Sequence, residues 1–136
     1  MPVNVSVNTD RRIIALTCTG NIVIEDLMDY ERQYWGGKEH EGFHHIVDLR
    51  NANLNVGPEE GIMLATHATP VDINAYSGAR SAIVVGDEDQ RYMAEAYRDA
   101  RHSMCDPSIR EVAVFSDLAN ATHWVNESVT TYATNH

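Results

Sequence analysis

Several things are scarce in this 136-residue chain, and each scarcity closes off a class of function. No stretch approaches the ~20 consecutive apolar residues that a bilayer-spanning helix needs. The opening Met1-Pro2-Val3-Asn4-Val5 has neither the basic start nor the apolar run of a signal peptide, so the cytoplasm is the expected compartment. Only two cysteines occur, Cys18 and Cys105. They lie far apart and form no CxxC or Cys/His ligand cluster, so they read as small, semi-buried thiols. Spacing alone leaves a disulfide open, and a reducing compartment argues against it.

Positive charge is also short. Ten Lys and Arg stand against twenty Asp and Glu, a formal net charge of −10, with a sequence pI near 4.9. The basic residues are scattered, and an acidic chain repels phosphate backbones and anionic headgroups over roughly a Debye length, ~8 Å at physiological salt. Nucleic acid is not an expected partner. No GxGxxG, phosphate-binding glycine loop or GxSxG elbow is present, and no cofactor is implied. What remains is ordinary for a globular protein: 43% hydrophobic and 22% charged residues, enough to bury about two-thirds of the unfolded surface as one domain over residues 1–136.

Hydrophobic periodicity then orders the chain. Val3 to Asn8 alternates apolar and polar as a half-buried strand does, Thr9-Asp10 turns, and Ile13 to Thr19 reads as its antiparallel partner, ended by Gly20-Asn21. From Ile24 the spacing becomes helical through Leu27, Met28, Tyr34 and Trp35. Glu25 and Asp26 suit the helix start, and Gly36-Gly37 stops it. His44 to Leu49 has the apolar centre of a parallel strand, and Asn51 to Gly57 reads as a polar loop. Pro58-Glu59-Glu60 opens a second helix carrying Ile62, Met63 and Ala65 toward Pro70, its expected end, and Val71 to Gly78 is left unassigned. Arg80 to Val85 is a buried strand. Asp87 caps a third helix, with Gln90 at the capping-box position and Met93, Ala96, Tyr97, Ala100 and Met104 as its stripe. Val112 to Phe115 is a last strand, after which Asp117 caps a helix bearing Leu118, Ala121, Trp124 and Val125. This β-β-α-β-α-β-α-β-α order predicts an α/β fold, with a mixed, mostly parallel five-stranded sheet and an antiparallel N-terminal edge strand. Right-handed crossovers place the helices mainly on one face, leaving the other for a partner, a ligand or a polar surface.

Three segments carry a likeness: Ile46-Val47-Asp48-Leu49-Arg50, Tyr92-Met93-Ala94-Glu95-Ala96-Tyr97, and the run from Val114-Phe115-Ser116-Asp117 to Trp124-Val125. With Gly20-Asn21-Ile22 leading into Glu25-Asp26-Leu27, their order and spacing resemble the SpoIIAA-like, STAS-related family of small bacterial proteins over nearly the whole chain. The resemblance implies a superhelix of βα units with sequential strands. It implies two kinds of relative: anti-sigma-factor antagonists, switched by phosphorylation of a serine at the helix after the third strand, and, more distantly, CRAL-TRIO domains that hold a hydrophobic ligand. This chain departs from the first kind. Asn53-Leu54-Asn55-Val56-Gly57-Pro58 occupies the place of the phosphorylated motif and offers no hydroxyl. Val23 stands where the family commonly has a Thr cap, a loss of roughly 0.5–2 kcal/mol.

Candidate functional residues fall into three groups. Asn51, Asn53, Asp87 and Asp117 lie at the carboxyl edge of the sheet, where open α/β sheets bind ligands; helix capping explains the two aspartates equally. Trp35, Met63, Met93 and Tyr97, with Tyr34, are placed to line an apolar pocket under the helices, or simply to fill the core. His44 and His45 point to opposite faces of a strand and cannot easily chelate one metal, and His102 and Cys105 lack further ligands nearby. No catalytic residue and no metal site is assigned. The expected function is a non-enzymatic binding or regulatory module engaging a protein partner or a second copy of itself as a homodimer. The alternative is a carrier or sensor of a lipid or small hydrophobic metabolite.

Overall fold

A computed structural model describes residues 2–35, 38–73 and 78–135. Strand β1 (Val3–Asn8) pairs antiparallel with β2 (Ile13–Val23), which runs into helix α1 (Ile24–Tyr34). Strand β3 (His44–Asn55), helix α2 (Pro58–Ile73), β4 (Ala79–Val84), α3 (Glu88–Met104), β5 (Arg110–Phe115) and α4 (Leu118–Asn135) follow. The sheet order is β1-β2-β3-β4-β5, parallel from β2 onward. This is the mixed five-stranded α/β sheet with an antiparallel edge that the periodicity predicts. The Gly36-Gly37 stop and much of the unassigned Val71–Gly78 stretch lie outside the described residues.

The sheet separates two apolar layers. On one face Ile14, Leu16, Ile22 and Leu49 pack against Leu27 and Tyr30 of α1, Leu64, Ala65 and Ala68 of α2, and Met93, Ala94 and Tyr97 of α3. On the other, Ala121 and Val125 of α4 cover Ile13, Ile46, Ala82 and Val84. Arg80 fastens α4 by donating to the Trp124 carbonyl at 2.6 Å while its guanidinium lies 4.7 Å from the Trp124 ring centroid. The second face therefore needs no partner over β3 to β5. Among the described residues it is uncovered and polar toward β1 and the ends of β2 and β3, where Asn4, Ser6, Thr17, Asn21 and Asn53 are exposed.

Two strands outrun their sequence signals. Gly20-Asn21 does not end β2, and Asn51–Asn55 is strand rather than loop: Gly20 pairs with Ala52, Asn21 with Asn53 and Ile22 with Leu54. Burial explains it, since Ile22 and Leu54 share a face directed at the core while the asparagines alternate outward. The continuation depends on a bulge, because β3 spends one residue more than β2 between the Thr17–Asp48 and Thr19–Asn51 pairs.

The helices are correct in existence and shifted in phase. Pro70 lies inside α2 instead of ending it. It sits with Thr66 on the exposed side, where water can take the carbonyl that a proline leaves without an amide donor. The same helix turns Met63 outward, half exposed at 50%, and buries Leu64. In α3 the buried stripe is Gln90, Met93, Ala94, Tyr97 and Arg101, not Ala96, Ala100 and the exposed Met104. In α1 the central buried residue is Tyr30, one turn from the expected Tyr34. Val23 offers α1 no side-chain acceptor, and the Asp26 carboxylate compensates by accepting the Val23 amide at 3.0 Å.

Where α2 crosses α3, Gly61 has no room for a side chain: a Cβ there would stand 2.9 Å from the Met93 carbonyl oxygen. Because the obstacle is backbone, Gly61→Ala must push the helices apart at a cost of about 1–3 kcal/mol. Its gain in helix propensity is about 1 kcal/mol. The expected outcome is a net loss of about 1 kcal/mol, read as a lower urea midpoint with unchanged slope; a rise in midpoint would contradict the tight crossing.

Candidate functional site

The carboxyl edge comes first, because four of the sequence candidates lie there. Asp87 accepts the Gln90 amide at 2.8 Å and Asp117 accepts the Asn120 amide at 3.0 Å, so both act as helix caps. Asn53 donates to the Asn21 side chain at 2.8 Å across the β2–β3 extension, and Asn51 is exposed beside it. The structure does not bring these four together around a common space. The edge is instead cross-braced by Asp48, Arg50, Gly86 and Gln90. Asp48 accepts the Arg50 amide at 3.1 Å and holds its guanidinium through two bonds of 2.9 Å, which stabilises the bulge. Arg50 in turn keeps the Asp48 carboxyl below its usual range. Gly86 lies so close that a Cβ would be 3.3 Å from the Arg50 backbone. Gln90, 1% exposed, accepts the Gly86 amide at 2.7 Å and donates to the Ala52 carbonyl at 3.0 Å. It thus stitches α3 and the β4–α3 turn to the stretch of β3 beyond its bulge.

The second region lies inside, under α1, α2 and α3. A cavity of about 60 Å³ is walled by Leu16, Leu27, Tyr30, Trp35, His45 and Leu64, with Met93 and Tyr97 contributed by α3. Trp35, Met93 and Tyr97 therefore meet at one space; Met63 does not, and Leu64 takes its place. Sharing the wall residues Glu31 and Trp35, a larger groove of about 380 Å³ opens between α1 and α2, bordered by Met28, Arg32, His67, Ala68 and Val71.

The polar lining of the cavity is held neutral. The Tyr30 hydroxyl meets His45 Nδ1 in a buried hydrogen bond. Burial, reinforced by Arg110, pushes His45 well below its ordinary pKa, and burial pushes Tyr30 well above its own. Tyr30 is therefore the donor and Nδ1 the acceptor, with the ring proton on Nε2. Trp35 stacks on His45 with centroids 4.0 Å apart and rings 19° from parallel. The guanidinium of Arg110 stands 4.7 Å, and that of Arg101 5.7 Å, from the Trp35 centroid. Arg110 donates to Ser81 Oγ at 3.0 Å and to the Phe43 carbonyl at 2.8 Å, and Arg101 donates to Thr69 Oγ1 at 2.9 Å. Sequence reading missed this cluster. Leu27, Tyr30 and Tyr34 do fall at i, i+3 and i+7, the one usable signal; nothing distinguishes Arg101 or Arg110 from surface arginines.

The remaining titratable candidates are accounted for locally. His44 points away from His45, as strand alternation requires, and accepts the Arg80 amide at 3.0 Å. Burial, with nearby Arg110, Arg12 and Arg80, lowers its pKa to about 4. His102 Nε2 accepts the Val112 amide at 3.1 Å. Cys18 and Cys105 are not joined in a disulfide, and burial beside Asp48 pushes Cys18 up to about 12, far from a reactive thiolate. Among the described residues no group of three or more His, Cys, Asp or Glu is placed to hold a metal, and no helix is long and apolar enough to cross a membrane.

No protein-family model and no curated protein matches the chain. Among solved structures, it is similar to an uncharacterized protein of the DUF3478 family with a SpoIIAA-like fold from Shewanella loihica PV-4. The TM-score is 0.54 at 16% identity, over 90% of this chain and 91% of that one. The fold is thus SpoIIAA-like, the architecture implied by the resemblance read from the sequence.

The two buried histidines set a pH dependence. Both have folded pKa values below the unfolded ~6.5, so protons favour the unfolded chain. Full stability is present above pH ~6.5 and is lost as pH falls toward about 4 for His44 and lower for His45. The slope is about 1.4 kcal/mol per pH unit for each histidine. His44→Asn, which cannot titrate, is expected to halve the slope of urea-derived stability between pH 6.5 and 4; an unchanged slope would exclude His44 as a contributor.

Proposed function

We propose that the domain is a non-enzymatic binding module that takes a small, mainly apolar molecule between α1 and α2, with Trp35 as the contact surface. The observation that carries this reading is the wall shared by two spaces. The inner cavity of about 60 Å³ is too small for a drug-sized ligand, whereas the adjoining groove of about 380 Å³ falls within the usual range, and Glu31 and Trp35 belong to both. An apolar ring or short chain in the groove would lie on Met28, Ala68 and Val71 with its end against the indole. The α1 side of the groove runs only from Met28 to Trp35, about 10 Å of helix, which suits a ring or short chain better than the long acyl chain a CRAL-TRIO-like carrier holds.

The absence of turnover is part of the same proposal, and the bonding of the candidate groups supports it. Asp87 and Asp117 are spent as caps, Tyr30 and His45 are bonded to each other, and Cys18 is held as a thiol. Regulation by phosphorylation at the α2 start has no acceptor, since no Ser or Thr occurs between Asp48 and Gly61.

The test is a titration of the full-length protein with indole and octanoate, probes of ring and short-chain ligands, with palmitate as the long-chain comparison. Indole or octanoate should shift the NMR methyl signals of Met28, Ala68 and Val71. Met28→Arg should weaken the response at least tenfold, and palmitate should not compete. Native mass spectrometry before and after organic extraction checks for a co-purifying molecule. Silence from both small probes at millimolar concentration, with a clean apo mass, would overturn the proposal; tight palmitate binding at these residues would replace it with the lipid-carrier reading.

A further inference from the structure

Among the described residues, no strand pairs with the outer side of β1. Pro2 accepts the Thr19 amide at 2.8 Å and the Val3–Cys18 to Asn8–Ile13 register continues from there. In an antiparallel ladder alternate residues direct their amide groups to the partner. Asn4 and Ser6 therefore bond toward β2, while Val3, Val5 and Val7 present their N–H and C=O groups at the free edge. Val3 and Val5 lean on the helical-layer core and Val7 is 39% exposed. Above this edge, between β1 and α1, lies a groove of about 500 Å³ lined by Val3, Val5, Tyr30, Gln33 and Tyr34, with Asp26 and Asp29 on the α1 side.

Edges of this kind are normally guarded by a charge, a proline, a bulge or a covering segment. Val3–Asn8, Val-Asn-Val-Ser-Val-Asn, contains neither charge nor proline, and its pairing register is unbroken. The opposite edge, β5, carries Arg110 and Glu111. In a protein with a net charge of −10, an uncharged strand is the place where two copies can meet with least repulsion.

We propose that β1 pairs antiparallel with β1 of a second copy across a two-fold axis at Val5, joining the two sheets edge to edge. The sequence is self-complementary about that point. Val5 faces Val5 of the second copy, Val3 faces Val7, and Asn4 faces Ser6, so each valine of one copy exchanges both edge hydrogen bonds with a valine of the other. Residues paired in an antiparallel ladder project to the same face. The valines of the second copy therefore enter the groove beside α1, covering Val7, while Asn4 and Ser6 meet on the polar face. This does not rest on the ligand reading, which concerns the other flank of α1.

Light scattering of the full chain on a sizing column is expected to give twice the 15.2 kDa chain mass, with the Val5 and Val7 amides slow to exchange with deuterium. Val5→Pro deletes an outward N–H without touching the β1–β2 ladder, and Val7→Glu sets a negative charge against Val3 of the second copy, in the groove that already holds Asp26 and Asp29. Each should return the monomer mass with a folded circular dichroism spectrum. Val7→Glu and the exchange data decide the matter if Val5→Pro does not fold. A wild-type monomer at high micromolar concentration, a dimer that survives Val7→Glu, or a dimer whose Val5 amide exchanges as an open amide would each overturn the proposal.

Discussion

The bulge in β3 is the constraint on which the rest of the sheet edge depends. One extra residue between Asp48 and Asn51 lets β3 stay paired with β2 past the point where β4 ends its pairing at Asp48. The Asp48 carboxylate makes the bulge affordable by taking the displaced Arg50 amide and the Arg50 guanidinium together. Everything at that end is then fitted to the bulge. Gly86 packs tightly against the Arg50 backbone, where a Cβ would stand 3.3 Å away, and the Gln90 amide spans Gly86 and Ala52. A buried glutamine with both ends satisfied fixes geometry more sharply than an apolar side chain would, because a slip of either partner strands a polar group. The edge that α/β architecture reserves for ligands is here cross-braced by its own side chains.

The opposite end of the sheet solves a different problem, that of polar groups inside an apolar layer. His45, Tyr30, Ser81, Thr69 and two arginines surround Trp35 at the start of the parallel strands. Neutrality is kept where it can be: tyrosine and histidine satisfy each other, and both pKa shifts oppose ionisation. The guanidinium groups, which cannot lose their protons, are spread over hydroxyls, a carbonyl and the indole face. Trp35 is thereby fixed as the end of α1 and as the partition between cavity and groove. The result is a rigid aromatic wall shared by the inner cavity and the groove between α1 and α2.

What the sequence revealed and what it hid follow a physical rule. Strands with clean period-two alternation, such as Val3–Asn8, and caps with their own hydrogen-bonding logic, such as Asp87 and Asp117, were legible because the signal is local. Asn51–Asn55 was not, because three asparagines look like a loop until Ile22 and Leu54 are seen to bury the other face. Helix α2 was misphased because Ile62, Met63, Leu64 and Ala65 are all apolar, and only packing against α3 through Gly61 selects Leu64 and Ala65. The same packing puts Trp35, Met93 and Tyr97 around one cavity and turns Met63 away from it. Arg101 and Arg110 are the hardest case. A buried arginine has no sequence signature, since its burial is set by distant hydroxyl, carbonyl and aromatic partners.

Helix α1 holds the architecture and the two proposals together. One flank faces α2 across the groove at Met28, Ala68 and Val71, and the other faces β1 across the groove at Val3 and Val5. Between them Leu27, Tyr30 and Trp35 root the helix in the core. A ligand on one flank and a second copy on the other would press on the same helix from opposite sides, with Tyr30 and Trp35, in edge-to-face contact at 6.4 Å, as the material between. Linkage then has a definite form: whatever factor the ligand applies to dimerisation, dimerisation must apply to ligand affinity. A helix bordered by a groove on each flank and held by a fixed aromatic root is suited to that exchange.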